Sequence, residues 1–345
     1  MTMPAANPST SYGFKMLKAP TPEQIPESSL AFLQQIGEPG IIFVPGHTRE
    51  KRVVTTLLHG NEPSGVEAIH KLLRSGFKPY ADTIFIIVSV AAALREPVFT
   101  HRALPGSRDI NRCFRPPYND APGRLAKQIT DYLVDLAPQA IIDIHNTSGS
   151  GPSFSVATRL DDTHQALASH FTRWFIHTDI ELGSIMEVPF CCPIVTIEAG
   201  GALDELSAAN AYDGLQSYLT AEDVFVARQD MALLKQPKRL EIYNEVSLAY
   251  AERPVFGANV TIRQDIEQHN FGITRPGDVL GWLDHNKLDH FRLAGHQANQ
   301  FIDDYFSVYN NELTVTRPLK MFMVTTRGDI AKSDCLLYFV DTDSS

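Results

Sequence analysis

Cysteine is scarce. The four present in 345 residues, Cys113, Cys191, Cys192 and Cys335, are too few and too scattered for a disulfide framework. Cys191 and Cys192 are neighbours, and a bridge between them would be strained. The expectation is free, buried thiols in a reducing compartment. Long apolar runs are also missing. The longest, residues 83–94, is too short to cross a bilayer, and the first eighteen residues lack the apolar block of a signal peptide. These absences point to a soluble cytoplasmic protein with no membrane partner. Basic charge is in deficit, with 30 Lys and Arg against 40 Asp and Glu. Phosphate backbones need a basic footprint, so nucleic acid is not an expected partner. Repeats and low-complexity blocks are absent, and ordinary apolar and charged fractions exclude a disordered chain, a collagen or a coiled coil.

The length allows a large α/β domain and a smaller companion. After an irregular lead-in of about 40 residues with one short helix, apolar strand patterns recur at 41–44, 52–58, 83–90, 140–144, 154–157 and 194–197. Helical spacing covers 63–74, 121–136, 161–174 and most of 206–234. Near-continuous apolar strands alternating with helices predict a largely parallel or mixed sheet covered on both faces. Beyond about residue 235 short β-branched stretches follow at 240–243, 255–262, 279–283, 314–315, 321–325 and 336–340. Turn residues such as Gly257 and Pro276-Gly277 separate them. The expected division is an α/β domain over 1–235 and a β-rich domain over 236–345.

Three ionisable residues stand at the ends of three predicted strands: His59, His145 and Glu198. Ligands in open α/β sheets bind outside the carboxyl ends of the strands. His59-Gly60-Asn61-Glu62-Pro63 reads H-x-x-E on a strand-to-helix turn, because Pro63 disfavours helix at Glu62 and suits a helix start. Gly60 would permit an unusual backbone that aims both side chains at one spot. With His145 as third ligand, His59 and Glu62 compose a His₂Glu set, suited to one catalytic Zn²⁺ with an open coordination position. Glu198 is the candidate general base; its alternative is a strand-end partner for an arginine. Asp143 lies on the same side of its strand as His145. Inside an apolar run it needs a partner, and orienting the His145 imidazole is one such role.

Arg102, Arg108, Arg112 and Arg115 crowd one loop of a net-acidic chain and suggest a carboxylate site. Asp284, His285, Asp289, His290 and His296 match no metal spacing, and a solvated surface is expected there.

The motifs His-Gly-Asn-Glu at 59–62, Asp-Ile-Asn-Arg-Cys-Phe at 109–114, Asp-Ile-His-Asn-Thr at 143–147 and Thr-Ile-Glu-Ala-Gly at 196–200 occur in one order. Together they resemble the succinylglutamate desuccinylase and aspartoacylase branch of the zinc carboxypeptidase-like superfamily, over about residues 50–200. The resemblance implies a zinc-carboxypeptidase-like mixed sheet flanked by helices, and hydrolysis of an amide next to a free carboxylate. It implies zinc on His59, Glu62 and His145, with Glu198 as base. It also implies a substrate carboxylate on Asn111 and Arg112, and an arginine on the scissile carbonyl, best fitted by Arg102 with Arg108 as the other candidate. The family's substrate-side tyrosine has no counterpart that can be aligned, and the C-terminal β-rich part resembles a pocket-capping domain. The expected substrate is a small N-acyl amino acid or similar acyl amide. A metallocarboxypeptidase acting on short peptides shares the same metal site, and a non-catalytic binding protein on this fold is a third reading. A homo-oligomer is left open.

Overall fold

The computed structural model describes residues 14–294 and 301–342; His296 lies outside them. Nine strands form one mixed sheet: β1 (Lys15–Lys18), β2 (Gly40–Val44), β3 (Thr48–Thr56), β4 (Ala81–Ile87), β5 (Ala140–Thr147), β6 (Phe154–Ala157), β7 (Trp174–His177), β8 (Ile194–Gly201) and β9 (Ala232–Lys235). Their order is β1-β2-β4-β3-β5-β8-β6-β7-β9. The centre, β4-β3-β5-β8, is parallel, whereas β2 and β6 run antiparallel to β4 and β8.

Burial on both faces explains the continuous apolar runs. Every residue of β4 and β5 is buried. Val54, Phe85 and Ile142 face helices α2 (Ser64–Arg74) and α6 (Ser207–Thr220), whereas Val53, Ile84 and Ile141, one residue away, face α4 (Ala121–Leu136). Helices α1 (Ser29–Ile36), α3 (Val90–Ala93) and α5 (Asp162–Ser169) complete this part. Helix α4 starts where Asp120 accepts a hydrogen bond from the Gly123 amide, 2.9 Å.

Two helical expectations fail. The segment 161–174 is helical only to Ser169, and Trp174–His177 pair as β7. The segment 206–234 stops being helical at Thr220, and Ala232–Lys235 form β9. The carbonyls at the second stop have a remote partner. Arg52 of β3, fully buried, donates to the carbonyls of Tyr218 (2.9 Å), Ala221 (2.6 Å) and Glu222 (3.0 Å). It satisfies carbonyls that a further helical turn would otherwise have taken.

The C-terminal part contains two five-stranded sheets. One has the order β13-β18-β19-β10-β15: Ile273–Thr274, Leu319–Phe322, Leu337–Asp341, Lys238–Ile242 and Phe291–Ala294. The other has the order β11-β12-β14-β17-β16: Leu248–Ala251, Val260–Arg263, Val279–Leu283, Glu312–Val315 and Phe306–Tyr309. Leu240, Phe291 and Phe339 from the first share an apolar core with Val260, Leu280 and Phe306 from the second. A short helix, α7 (Gly328–Ser333), precedes β19. The expected strand at 255–262 begins only at Val260, after Gly257 at φ 84°. A second apolar cluster joins Phe154, Ile176 and Leu234 to Phe322, Tyr338 and Val340, so the nine-stranded sheet packs directly against the first of the C-terminal sheets.

Among the described residues no helix is long and apolar enough to cross a membrane. All four cysteines are free, but only Cys113 and Cys335 are buried; Cys191 is exposed.

Candidate metal and catalytic site

The site grows from the carboxyl ends of β3, β5 and β8. After β3 the chain turns through Leu57, which takes φ 57°, and delivers His59. The Glu62 amide donates to the His59 carbonyl (3.2 Å), which closes a tight turn before α2. Gly60 is needed for a different reason than the sequence suggested. Its φ is not positive. Instead α3 and the arginine loop press on it: a Cβ here would lie 2.6 Å from the Ala93 amide nitrogen and from the His101 carbonyl oxygen. The Gly60 amide also donates to the Arg102 carbonyl (2.9 Å).

His59, Glu62 and His145 converge and are all buried. Glu62 Oε1 is 2.8 Å from His59 Nδ1, and Glu62 Oε2 is 2.7 Å from His145 Nδ1. The outer nitrogens are also held. His145 Nε2 is 2.8 Å from Asp143 Oδ2, and His59 Nε2 is 3.1 Å from Asp109 Oδ1. Asp143 is fixed in turn by the Thr55 hydroxyl, 2.6 Å. Thus Asp143 contacts the His145 ring, and Asp109 contacts the His59 ring in the same way. Sequence reasoning gave Asp109 no role, although it opens the Asp-Ile-Asn-Arg motif. Asn146 was missed as well. Its side chain accepts from the Ser64 amide (3.1 Å) and donates to Ser64 Oγ (2.8 Å) and to the Gly200 carbonyl (2.9 Å), tying α2, β5 and β8 together around the site.

Charge at this centre is strongly organised. Burial acts against ionisation of Glu62, but the two imidazoles outweigh it and hold the carboxyl below its usual range. Burial likewise opposes charge on His145, and Asp143 with Glu62 more than reverses this. Asp109, also penalised by burial, is held low by His59, Arg102 and Arg112. Glu198 differs. It lies directly across from His145 in register, its Oε2 is buried without a hydrogen-bond partner, and burial pushes its pKa up to about 7.

The donor atoms of His59, Glu62 and His145 lie within 4.8 Å of one another. Two imidazole nitrogens with carboxylate-held outer nitrogens, plus one carboxylate, suit a borderline divalent cation. A positive charge there would also relieve the orphaned Glu198 oxygen.

The arginine loop does not form a single cluster. Arg102 Nε donates to Asp109 Oδ2 (2.9 Å), and its Nη1 lies 3.8 Å from Glu62 Oε1. Arg108 is instead engaged with Asp120 through two hydrogen bonds, 2.6 and 2.7 Å. Asn111 is buried and accepts from the Ile185 amide (3.1 Å). Arg112 Nη1 donates to the Asn111 carbonyl (3.0 Å), and its Nη2 lies 3.6 Å from Asp334 of the C-terminal part. The C-terminal part also reaches the loop after β5, where Glu267 accepts from the Ser150 amide (3.1 Å) and Asn270 donates to the Ser150 carbonyl (2.7 Å).

Residues 50–186 match the family model of the succinylglutamate desuccinylase/aspartoacylase catalytic domain. The fold is shared with several solved structures. A succinylglutamate desuccinylase/aspartoacylase from Rhodobacter sphaeroides aligns with TM-score 0.53 at 15% identity, over 84% of this chain and 83% of that one. Succinylglutamate desuccinylase from Vibrio cholerae gives TM-score 0.53 at 12% identity, over 84% and 99%. Murine aminoacylase 3 gives 0.50 at 15% identity, over 85% and 95%. No curated protein sequence matches the chain.

Proposed function

We propose that the chain, whose residues 50–186 match the model of the succinylglutamate desuccinylase/aspartoacylase catalytic domain, is a zinc-dependent amide hydrolase acting on a small N-acyl amino acid or similar acyl amide with a free carboxylate. The observation that carries this reading is the buried His59–Glu62–His145 centre facing an unpartnered Glu198 oxygen.

His59, Glu62 and His145 would hold zinc, which when bound supplies Lewis acidity to water and to the scissile carbonyl. Glu198 takes a proton from the attacking water and returns it to the leaving amine nitrogen as the C–N bond breaks. Burial raises its pKa in the absence of a cation, and a nearby cation would act in the opposite direction, favouring the carboxylate that accepts the proton. Arg102 stays charged because Asp109 and Glu62 outweigh the burial that opposes its charge. In this reading it stabilises the developing oxyanion. Asn111 and Arg112 anchor the substrate carboxylate and so set the position of the bond. Asp143 and Asp109 keep the imidazoles oriented.

We divide the chain into a catalytic domain, 1–235, and a β-rich domain, 236–345, that narrows the pocket. Its contacts to Arg112 and Ser150 favour a small substrate over a peptide lying in an open groove. The titratable Glu198 argues against a purely binding role. The deciding experiment is a hydrolysis screen, with zinc present, of N-acyl amino acids against short peptides. Turnover of the acyl amino acids supports the proposal; release of C-terminal residues from peptides alone would replace it with a carboxypeptidase.

A further inference from the structure

We propose that Asp284, His285 and His290 form a second divalent-cation site, one that staples the crossover between the two C-terminal sheets. The chain leaves β14 at Leu283 and enters β15, in the other sheet, at Phe291. Asp284 Oδ1 faces His285 Nδ1 at 2.5 Å and His290 Nε2 at 2.7 Å. The two rings stand 4.7 Å apart at 66°, and one donor atom from each of the three residues lies within 4.8 Å of the others.

The surrounding contacts match what a metal centre needs. The outer nitrogen of His285 is 2.7 Å from Asp289 Oδ1, and Asp284 Oδ2 accepts from the Asn259 side-chain amide at 2.7 Å. This is the arrangement of His59, Glu62 and His145 over again: one carboxylate against two imidazole nitrogens, with an outer nitrogen held by another carboxylate. Without a cation, His285 can satisfy both carboxylates only by carrying two protons. With one, neutral imidazoles and the charges of Asp284 and Asp289 balance a divalent ion.

The backbone preorganises the donors. The Asp284 amide donates to the Asn259 carbonyl (2.9 Å), and the Tyr243 amide donates to the His290 carbonyl (3.2 Å). Side-chain exposure of 13% at His290 and 39% at His285 leaves the ion open to exchange with solvent. Imidazole with carboxylate selects zinc, nickel or copper over calcium or magnesium. The site is separate from the hydrolase reading and does not depend on it.

The test is zinc titration of the chelator-stripped full chain by calorimetry, with metal analysis after desalting. Two equivalents are expected for the native sequence. His290→Ala and Asp284→Asn should each lose one and retain hydrolysis, whereas His59→Ala should lose the other. Zinc should raise the melting temperature of His59→Ala by several degrees and leave His59→Ala/His290→Ala unchanged. A single equivalent that vanishes in His59→Ala, or two equivalents persisting in His290→Ala, would overturn the proposal. If His290→Ala does not fold, Co²⁺ added to His59→Ala decides the matter: a d–d absorption band supports the site and its absence refutes it.

Discussion

Asp334, just beyond α7, places its carboxylate 3.6 Å from Arg112 and 3.0 Å from Arg239. A carboxylate from the C-terminal sheets therefore already lies against the guanidinium proposed to hold the substrate carboxylate. Two anions competing for one half-exposed arginine weaken each other's binding without touching the reacting atoms. Replacing Asp334 with Asn should lower KM for an acyl amino acid by about 2–5-fold, the range of a partly exposed ion pair, and leave kcat within about twofold. The gain should shrink as salt is raised. A higher KM would mean that Asp334 positions Arg112 for substrate instead of competing with it.

Glu198→Gln keeps the size of the side chain and removes its ability to take a proton. Hydrolysis should fall by about 10²–10⁴-fold, the usual weight of general acid–base catalysis. Zinc content should be unchanged, because Glu198 is not one of the converging donors. Turnover of a good substrate and metal analysis of the same sample check both halves. Retained activity would remove Glu198 as the base.

Asp143→Asn leaves a carbonyl to receive the His145 Nε2 proton but removes the negative charge that strengthens that imidazole as a donor. Zinc affinity should drop by about 10–100-fold, read by competition with a chromogenic chelator. Asp109→Asn should weaken zinc in the same direction and, because Asp109 also pairs with Arg102, lower kcat at saturating zinc. An Asp143→Asn affinity equal to that of the native chain would reduce Asp143 to a packing role.

The converging residues His59, Glu62 and His145 stand out in the sequence because each interrupts or ends an apolar pattern. A His or Glu at the end of a buried strand has few reasons to be there. Helix α4 was legible to the residue, since its periodicity and its Asp120 cap are local. What stayed hidden depends on partners distant in sequence. The carbonyls at the end of α6 find their partner in Arg52, 166 residues or more away in the sequence. Trp174–His177 carry large apolar residues that suit helix and strand alike, and pairing with β6 and β9 decides between them. Asp109 and Asn146 sat inside quoted motifs, but their partners His59 and Ser64 are identified only once the strands are side by side. The cluster at Asp284, His285 and His290 has no recognisable spacing, because its geometry comes from a turn between two sheets.

A buried histidine away from the His59–Glu62–His145 cluster gives the chain a dependence on pH. His170, just after α5, is held between the Ser217 hydroxyl (2.7 Å from Nδ1) and the Val224 carbonyl (3.3 Å from Nε2). The carbonyl can only accept, so Nε2 carries the proton and Nδ1 accepts from Ser217. Burial lowers its pKa to about 4, and the nearby positive charges of Arg228 and Arg52 act in the same direction. Unfolded, it should titrate near the ordinary histidine value of about 6.5. Between those values the unfolded chain binds the extra proton, so stability rises with pH across the window and is lost as pH falls from about 6.5 to 4. The loss amounts to as much as about 3 kcal/mol at the lower end. His170→Gln can replace both hydrogen bonds but does not titrate. Urea unfolding at pH 7 and pH 5, with chelator present so that metal release does not contribute, should show a smaller difference for the variant than for the native sequence. Equal differences in the two proteins would show that His170 is not responsible.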